Sequence, residues 1–203
     1  MSTDVAIVPT GTANTASVNA AFRRLGANPR PAVTPEDIRE ASRLVVPGVG
    51  TFGAAMERID QQELRESLVD RLERGRPTLA ICLGMQLLAE KSDESPHVPG
   101  LGVVPERVTR LPQDLTVPQL GWNRVVPDVA SRFLDPGWAY FANSYKLDDV
   151  PDGWTGAQTE YGGEFVSAIE RGDVLACQFH PELSGTWGAD LLRRWFDSAG
   201  GRS

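Results

Sequence analysis

The sequence predicts an α/β domain whose first half builds a largely parallel sheet and whose second half adds antiparallel strands. Two observations carry this. Short apolar runs alternate with helix-period patterns up to about residue 90, the signature of strand–helix–strand units. Beyond that point short strand-like runs follow one another, separated by proline and glycine turns. No repeat, low-complexity tract or linker interrupts the chain, so a single domain over residues 1–203 is expected.

In order, VAIV (5–8) reads as a strand, and Asn14 is placed to cap a helix running through Val18, Phe22 and Leu25 to Gly26. Thr34-Pro35-Glu36-Asp37 opens the next helix with proline at its first position. RLVVPG (43–48) is a strand, followed by a helix with Phe52, Met56 and Ile59 on one side. QQELRESLVDRLERG (61–75) reads as one amphipathic helix with Leu64, Leu68 and Leu72 in register and Gly75 at its end. PTLAI (77–81) is a buried strand that delivers Cys82, and GMQLLAE (84–90) reads as the first turns of a helix. The later strands are GLGVVPERVTRLP, QLGWNRVVP, WAYFANSY and GWTGAQTEY, then a hairpin in EFVSAIERGDVLACQF turning at Arg171-Gly172-Asp173. A last helix, from about Gly188 to Ser198, carries Leu191, Leu192, Trp195 and Phe196.

Composition narrows the function. A net charge of −7 argues against nucleic acid, whose phosphates demand a basic surface. MSTDVAIVPTG has neither a basic region nor a long apolar run, and no stretch approaches the roughly 20 apolar residues of a membrane span. Two cysteines make no disulfide framework and suit a reducing compartment, so a cytoplasmic protein is expected.

The chemistry begins at AICLGMQLL (80–88), where Cys82 sits between a strand and a helix with Gly84 two residues on. Such a turn exposes its central side chain at the carboxyl end of the sheet and aims the following N–H groups at the same spot. That field favours a thiolate and can hold an oxyanion. By itself the pattern is equally consistent with a small buried thiol. A nucleophilic thiol needs a base. His97 lies in the polar loop SDESPHVPG and reads as solvated, whereas His180 follows the apolar run VLACQF in FHPELSG. Pro181 biases His180 toward an extended backbone, in which His180 and Glu182 point to one side. A carboxylate there can hold the imidazole while its other nitrogen meets the thiol, so Cys82, His180 and Glu182 form a candidate triad. Cys177, inside a strand, reads as core. PGVGTF (47–52) follows a neighbouring strand; it is either a second oxyanion donor or a plain β–α turn.

TGTANTASV, PGVGTFGAAM, AICLGMQLL, SDES, PQLGWN, YFANSY and QFHPELSG, in this order, resemble the class I, triad-type glutamine amidotransferases. CLGMQ, PQLGWN and FHPE narrow the resemblance to the glutaminase subunits of imidazole glycerol phosphate synthase. The resemblance implies a flavodoxin-like fold with a mixed, mostly parallel sheet flanked by helices, and no metal or organic cofactor. It implies that Cys82 attacks the glutamine carboxamide, His180 serves as base and then acid, and Glu182 orients His180. Oxyanion donors are then expected at Leu83 and in the loop at Val49 and Gly50, and glutamine contacts at Gln86, Ser144 and Tyr145. It also implies a heterodimer with a (β/α)₈ cyclase that receives the ammonia, with Asn14, Trp122, Asn123 and Tyr140 near the interface. The chain departs from the family at Pro9, Ala80, Asn143 and Leu183, positions that touch the coupling rather than the triad. Two alternatives stay open: a glutaminase of the same type serving another ammonia acceptor, and a stand-alone cysteine hydrolase.

Overall fold

The computed structural model describes residues 3–10 and 15–198. Asn14, expected as a helix cap and interface residue, lies outside the described residues.

The first half supplies β1 (Asp4–Ile7), α1 (Thr15–Arg24), β2 (Asn28–Pro31), α2 (Pro35–Glu40), β3 (Leu44–Gly48), α3 (Phe52–Gln61), α4 (Arg65–Glu73), β4 (Thr78–Cys82), α5 (Leu83–Gln86) and β5 (Ala89–Ser92). The second half supplies β6 (Val104–Arg110), β7 (Gln119–Pro127), β8 (Gly137–Asn143), β9 (Tyr145–Leu147), β10 (Thr155–Glu160), β11 (Glu164–Arg171), β12 (Val174–Cys177), one 3₁₀ turn (Pro181–Leu183) and α6 (Gly185–Ser198). The strands run in the order β2-β1-β3-β4-β12-β11-β10-β7-β8, with β9, β6 and β5 branching off β11. From β2 to β12 every pairing is parallel. From β12 to β8 every pairing is antiparallel. The mostly parallel, flavodoxin-like sheet with an antiparallel extension follows from this order.

Both faces of the parallel half are covered, so β3 and β4 are apolar at nearly every position. The period-2 alternation sorts their side chains into two cores. Ala6, Val46, Ala80 and Ala176 meet Ile38, Met56, Ile59, Leu64, Leu68 and Leu72 of α2–α4 and the turn before α4. Val5, Val45, Leu79, Ile81 and Leu175 meet Val18 and Phe22 of α1 and Leu191, Leu192 and Trp195 of α6. Arg71 of α4 is fully buried, and among the described residues no carboxylate pairs with it. Its guanidinium donates to the Ile38, Ala41 and Pro77 carbonyls and to Thr78 Oγ1, tying α2 to the start of β4.

Five elements differ from the sequence reading. The helix expected over 61–75 is broken, because Gln61 ends α3 and α4 starts at Arg65. Glu63, at φ 57°, closes α3 as a left-handed cap, with Leu64 N bonded to Ile59 O at 2.9 Å and Glu63 N to Asp60 O at 3.0 Å. The helix after Cys82 lasts one turn. Beyond it the Leu87, Leu88 and Ala89 carbonyls accept from Leu101, Val104 and Gly102, so the backbone joins a strand ladder instead. WAYFANSY divides at Ser144, where the chain leaves β8 for β9. The edge strand β2, with two prolines, gave no strand signal; only one of its sides needs N–H groups. The final helix also begins three residues earlier than expected, at Gly185.

Candidate active site

Cys82 ends β4 at φ 54° and ψ −112°, a backbone region that non-glycine residues rarely occupy. The crowding that holds it there is visible at its neighbours. A Cβ on Gly84 would sit 1.9 Å from Val46 O, and one on Gly48 would sit 2.7 Å from Gly84 N. The ends of β3 and β4 therefore meet through bare backbone, and the expected elbow forms. Leu83 follows at the first position of α5, where a helix has no internal partner for its N–H. The adjoining loop carries Val49 and Gly50, the latter at φ 100°. SDES fastens that loop from outside: Glu94 Oε2 accepts from Phe52 N at 2.6 Å and Ser95 Oγ from Gly53 N at 3.1 Å, capping α3.

His180 enters from the loop after β12. Its N–H donates to Tyr140 O of β8 at 2.9 Å, and Ser184 Oγ bridges His180 O and Tyr140 N. His180 Nδ1 lies 2.9 Å from Glu182 Oε1, both side chains being almost wholly buried. The expected pairing is present, but by a different route. Pro181–Leu183 is a 3₁₀ turn, and it is that turn, with extended backbone only at His180, that swings Glu182 under the ring. Burial works to lower the basicity of His180, but hydrogen bonds from the ring to Cys82 and Glu182 outweigh it and raise its pKa to about 10. Cys177 is fully buried, and burial, reinforced by the nearby Glu182 and Cys82, pushes its thiol well above the ordinary value. It stays an inert core thiol, as expected, and His97 is exposed in its loop.

A pocket of about 310 Å³ opens on the sulfur. Leu83, Val49 and Gly50 line it, as do Gln86, Ser144 and Tyr145, so all the expected oxyanion and glutamine-contact residues converge with Cys82 and His180. Glu94 and Asn143 also line it. Three residues with a place here escaped the sequence reading of roles. Glu94 lay in a quoted motif without a role, Asn143 was expected only as a departure bearing on the coupling but lines the pocket itself, and Gln178 opens QFHPELSG. Gln178 Nε2 stands 3.6 Å from Cys82 Sγ.

On the hairpin β7–β8, Trp122 is exposed and packs edge-on against half-buried Tyr140, with ring centroids 6.3 Å apart. Asn123 alternates to the other face, and its amide donates to Glu160 O at 2.9 Å. There it lines a larger, open groove of about 720 Å³ that contains no cysteine or histidine. The titratable geometry, not volume, locates the chemistry. Among the described residues no group of three histidine, cysteine or acidic side chains is arranged to hold a metal ion, and no helix is long and apolar enough to cross a membrane.

An elbow thiol backed by a histidine–carboxylate pair, on a flavodoxin-like sheet, is the arrangement of a triad-type amidohydrolase. Comparison with known proteins agrees. The family described as glutamine amidotransferase class-I matches residues 8–199. The imidazole glycerol phosphate synthase subunit HisH of Methanothermobacter thermautotrophicus is 40% identical over 196 residues, covering 95% of this chain and 98% of that one. The HisH subunit of Escherichia coli K12 is 39% identical over 199 residues, covering 96% and 99%. The chloroplastic imidazole glycerol phosphate synthase hisHF of Arabidopsis thaliana is 40% identical over 198 residues, 94% of this chain but 33% of that protein. Among solved structures, a glutamine amidotransferase superposes with a TM-score of 0.78 at 22% identity, covering 97% and 98%. PurLQS from Thermotoga maritima gives 0.73 at 13% identity, covering 97% and 99%; both likenesses concern the fold alone. The chain belongs to the class-I glutamine amidotransferases and, within them, to the HisH subunits of imidazole glycerol phosphate synthase.

Proposed function

We propose that this chain hydrolyses glutamine to glutamate and ammonia through Cys82, His180 and Glu182, and passes the ammonia to a (β/α)₈ cyclase. The observation that carries the reading is the His180 ring, paired with Glu182 at 2.9 Å and facing, together with Cys82, one pocket of about 310 Å³.

Glutamine enters with its amino-acid end toward Gln86, Ser144 and Tyr145. The Cys82 sulfur attacks the carboxamide carbon, and the carbonyl π pair moves to oxygen. Leu83 N–H and an N–H of the Val49–Gly50 loop hold that oxyanion. Collapse breaks the C–N bond, and the proton on His180 goes to the departing nitrogen, leaving a thioester and ammonia. Water then gives a proton to His180 and adds to the thioester carbon, and glutamate leaves as the thiolate reforms beside a protonated ring. Glu182 keeps Nδ1–H engaged throughout and balances the imidazolium.

The acceptor side rests on an outward face beside the pocket. Leu120 and Trp122 of β7 and Trp138 of β8 are 67%, 55% and 58% exposed, and Leu183 of the triad turn is 39% exposed. Register puts Trp122 opposite Tyr140 and Leu120 opposite Ala142 on this face. Exposed large apolar side chains in one patch suit a protein partner, with Trp122 the anchor. Asn123, turned to the other side, is not part of it. The Arabidopsis protein, three times this chain's span, leaves room for the partner in one polypeptide.

A γ-electrophilic glutamine analogue tests the chemistry. Intact-mass and peptide analysis should place one adduct on Cys82, absent in Cys82→Ala and blocked by excess glutamine. Labelling elsewhere, or none with the cyclase present, contradicts the reading.

A further inference from the structure

A chain of hydrogen bonds behind the sulfur fixes which end of the Gln178 amide faces it. The chain starts at Tyr145 O, which can only accept. Gln86 presents its amide to that carbonyl at 3.1 Å, so the facing atom is Nε2. The same nitrogen lies 2.9 Å from the Gln178 amide, whose facing atom is therefore Oε1. That leaves Gln178 Nε2 toward Cys82 Sγ at 3.6 Å. Reversing the Gln178 amide would set two N–H groups against each other and point a carbonyl at the sulfur. Both glutamines are almost wholly buried, and the Gln178 backbone is anchored by its own bond to Ser167 O at 2.9 Å.

We propose, on the glutaminase reading above, that Gln178 is a further catalytic residue: its N–H, held by Gln86 and the Tyr145 carbonyl, donates to the Cys82 sulfur and favours the thiolate. His180 alone would leave the anion solvated on one side only, and its proton is spent on the leaving ammonia. The Gln178 N–H is not transferred, so it supports the sulfur before attack and again when the thioester breaks. A buried donor to a charged acceptor contributes more than an ordinary hydrogen bond. The relay also ties the sulfur to the Ser144–Tyr145 segment that grips glutamine, without His180 or Glu182 taking part.

The test measures the pH profile of site-resolved Cys82 alkylation, alongside glutaminase kinetics with the cyclase, for wild type, Gln178→Met and Gln178→Glu. Gln178→Met keeps the length and loses the donor. It should lower kcat about tenfold with KM changed less than about threefold, and move the alkylation midpoint up by about one pH unit. Gln178→Glu, which sets a carboxylate against the sulfur, should move both further in the same direction. A purely structural glutamine would lower the melting temperature and leave the alkylation midpoint in place. A folded Gln178→Met with the wild-type profile overturns the proposal; should that variant not fold, the Gln178→Glu profile decides by the same criterion. A wild-type Cys82 that does not alkylate sinks the glutaminase reading and this one together, whereas a reactive Cys82 with an unmoved profile sinks the relay alone.

Discussion

At Cys82 the positive-φ backbone persists because Gly84 and Gly48, where the ends of β3 and β4 meet, carry no side chains. Gly84→Ala would drive a methyl to 1.9 Å from Val46 O, a contact no rotamer can relieve. It should cost on the order of 3 kcal/mol or more, read by urea unfolding, and abolish glutaminase activity in whatever folds. His180 gives a pH signature. Its pKa rises from the ordinary 6.5 to about 10 in the fold. The protonated ring therefore contributes stability that is fully present below about pH 6.5 and lost as pH climbs toward 10. Unfolding free energy should fall across that window, and His180→Ala should flatten the slope; an unchanged slope contradicts the buried ion pair. Cys82, His180 and Glu182 were legible because each residue type has few uses at such a spacing. Gln178 was not, since its meaning lies in contacts with residues 92 and 96 positions earlier, which no local pattern encodes.

Among the elements, α2 was legible in four residues. Thr34 Oγ1 accepts from Asp37 N at 3.1 Å and Asp37 Oδ2 accepts from Thr34 N at 3.0 Å, a reciprocal capping box. Thr34→Ala should cost about 1 kcal/mol, seen as a lower urea midpoint at unchanged slope, with glutaminase activity intact. The break between α3 and α4 was hidden because Glu63 stands where a glycine would announce a left-handed cap. Gly75, at φ 63°, does announce the end of α4. The short α5 was misread for a tertiary reason: the segment at 100–104 takes the carbonyls that a longer helix would have used. Apolar period alone cannot tell a helix from a strand captured by a distant partner.

For the whole molecule, alternation of strands and helices was enough to expect the parallel half, and the turn-rich second half its antiparallel extension. The branching of β9 and β6 from β11 was not readable, because it depends on where the chain turns at Ser144. Trp122 was expected near the interface through the resemblance alone; its exposure follows from the pleat of β7. If the apolar face is the docking surface, Trp122→Ala should weaken cyclase binding at least tenfold in calorimetry, with the melting temperature nearly unchanged. The most direct measurement is glutamate release from glutamine, with and without the cyclase and its nucleotide ligand, beside Cys82→Ala. Turnover that requires the liganded partner and vanishes in the variant is the predicted result. Brisk hydrolysis by the chain alone would contradict the partner's role, and activity surviving Cys82→Ala would contradict the mechanism itself.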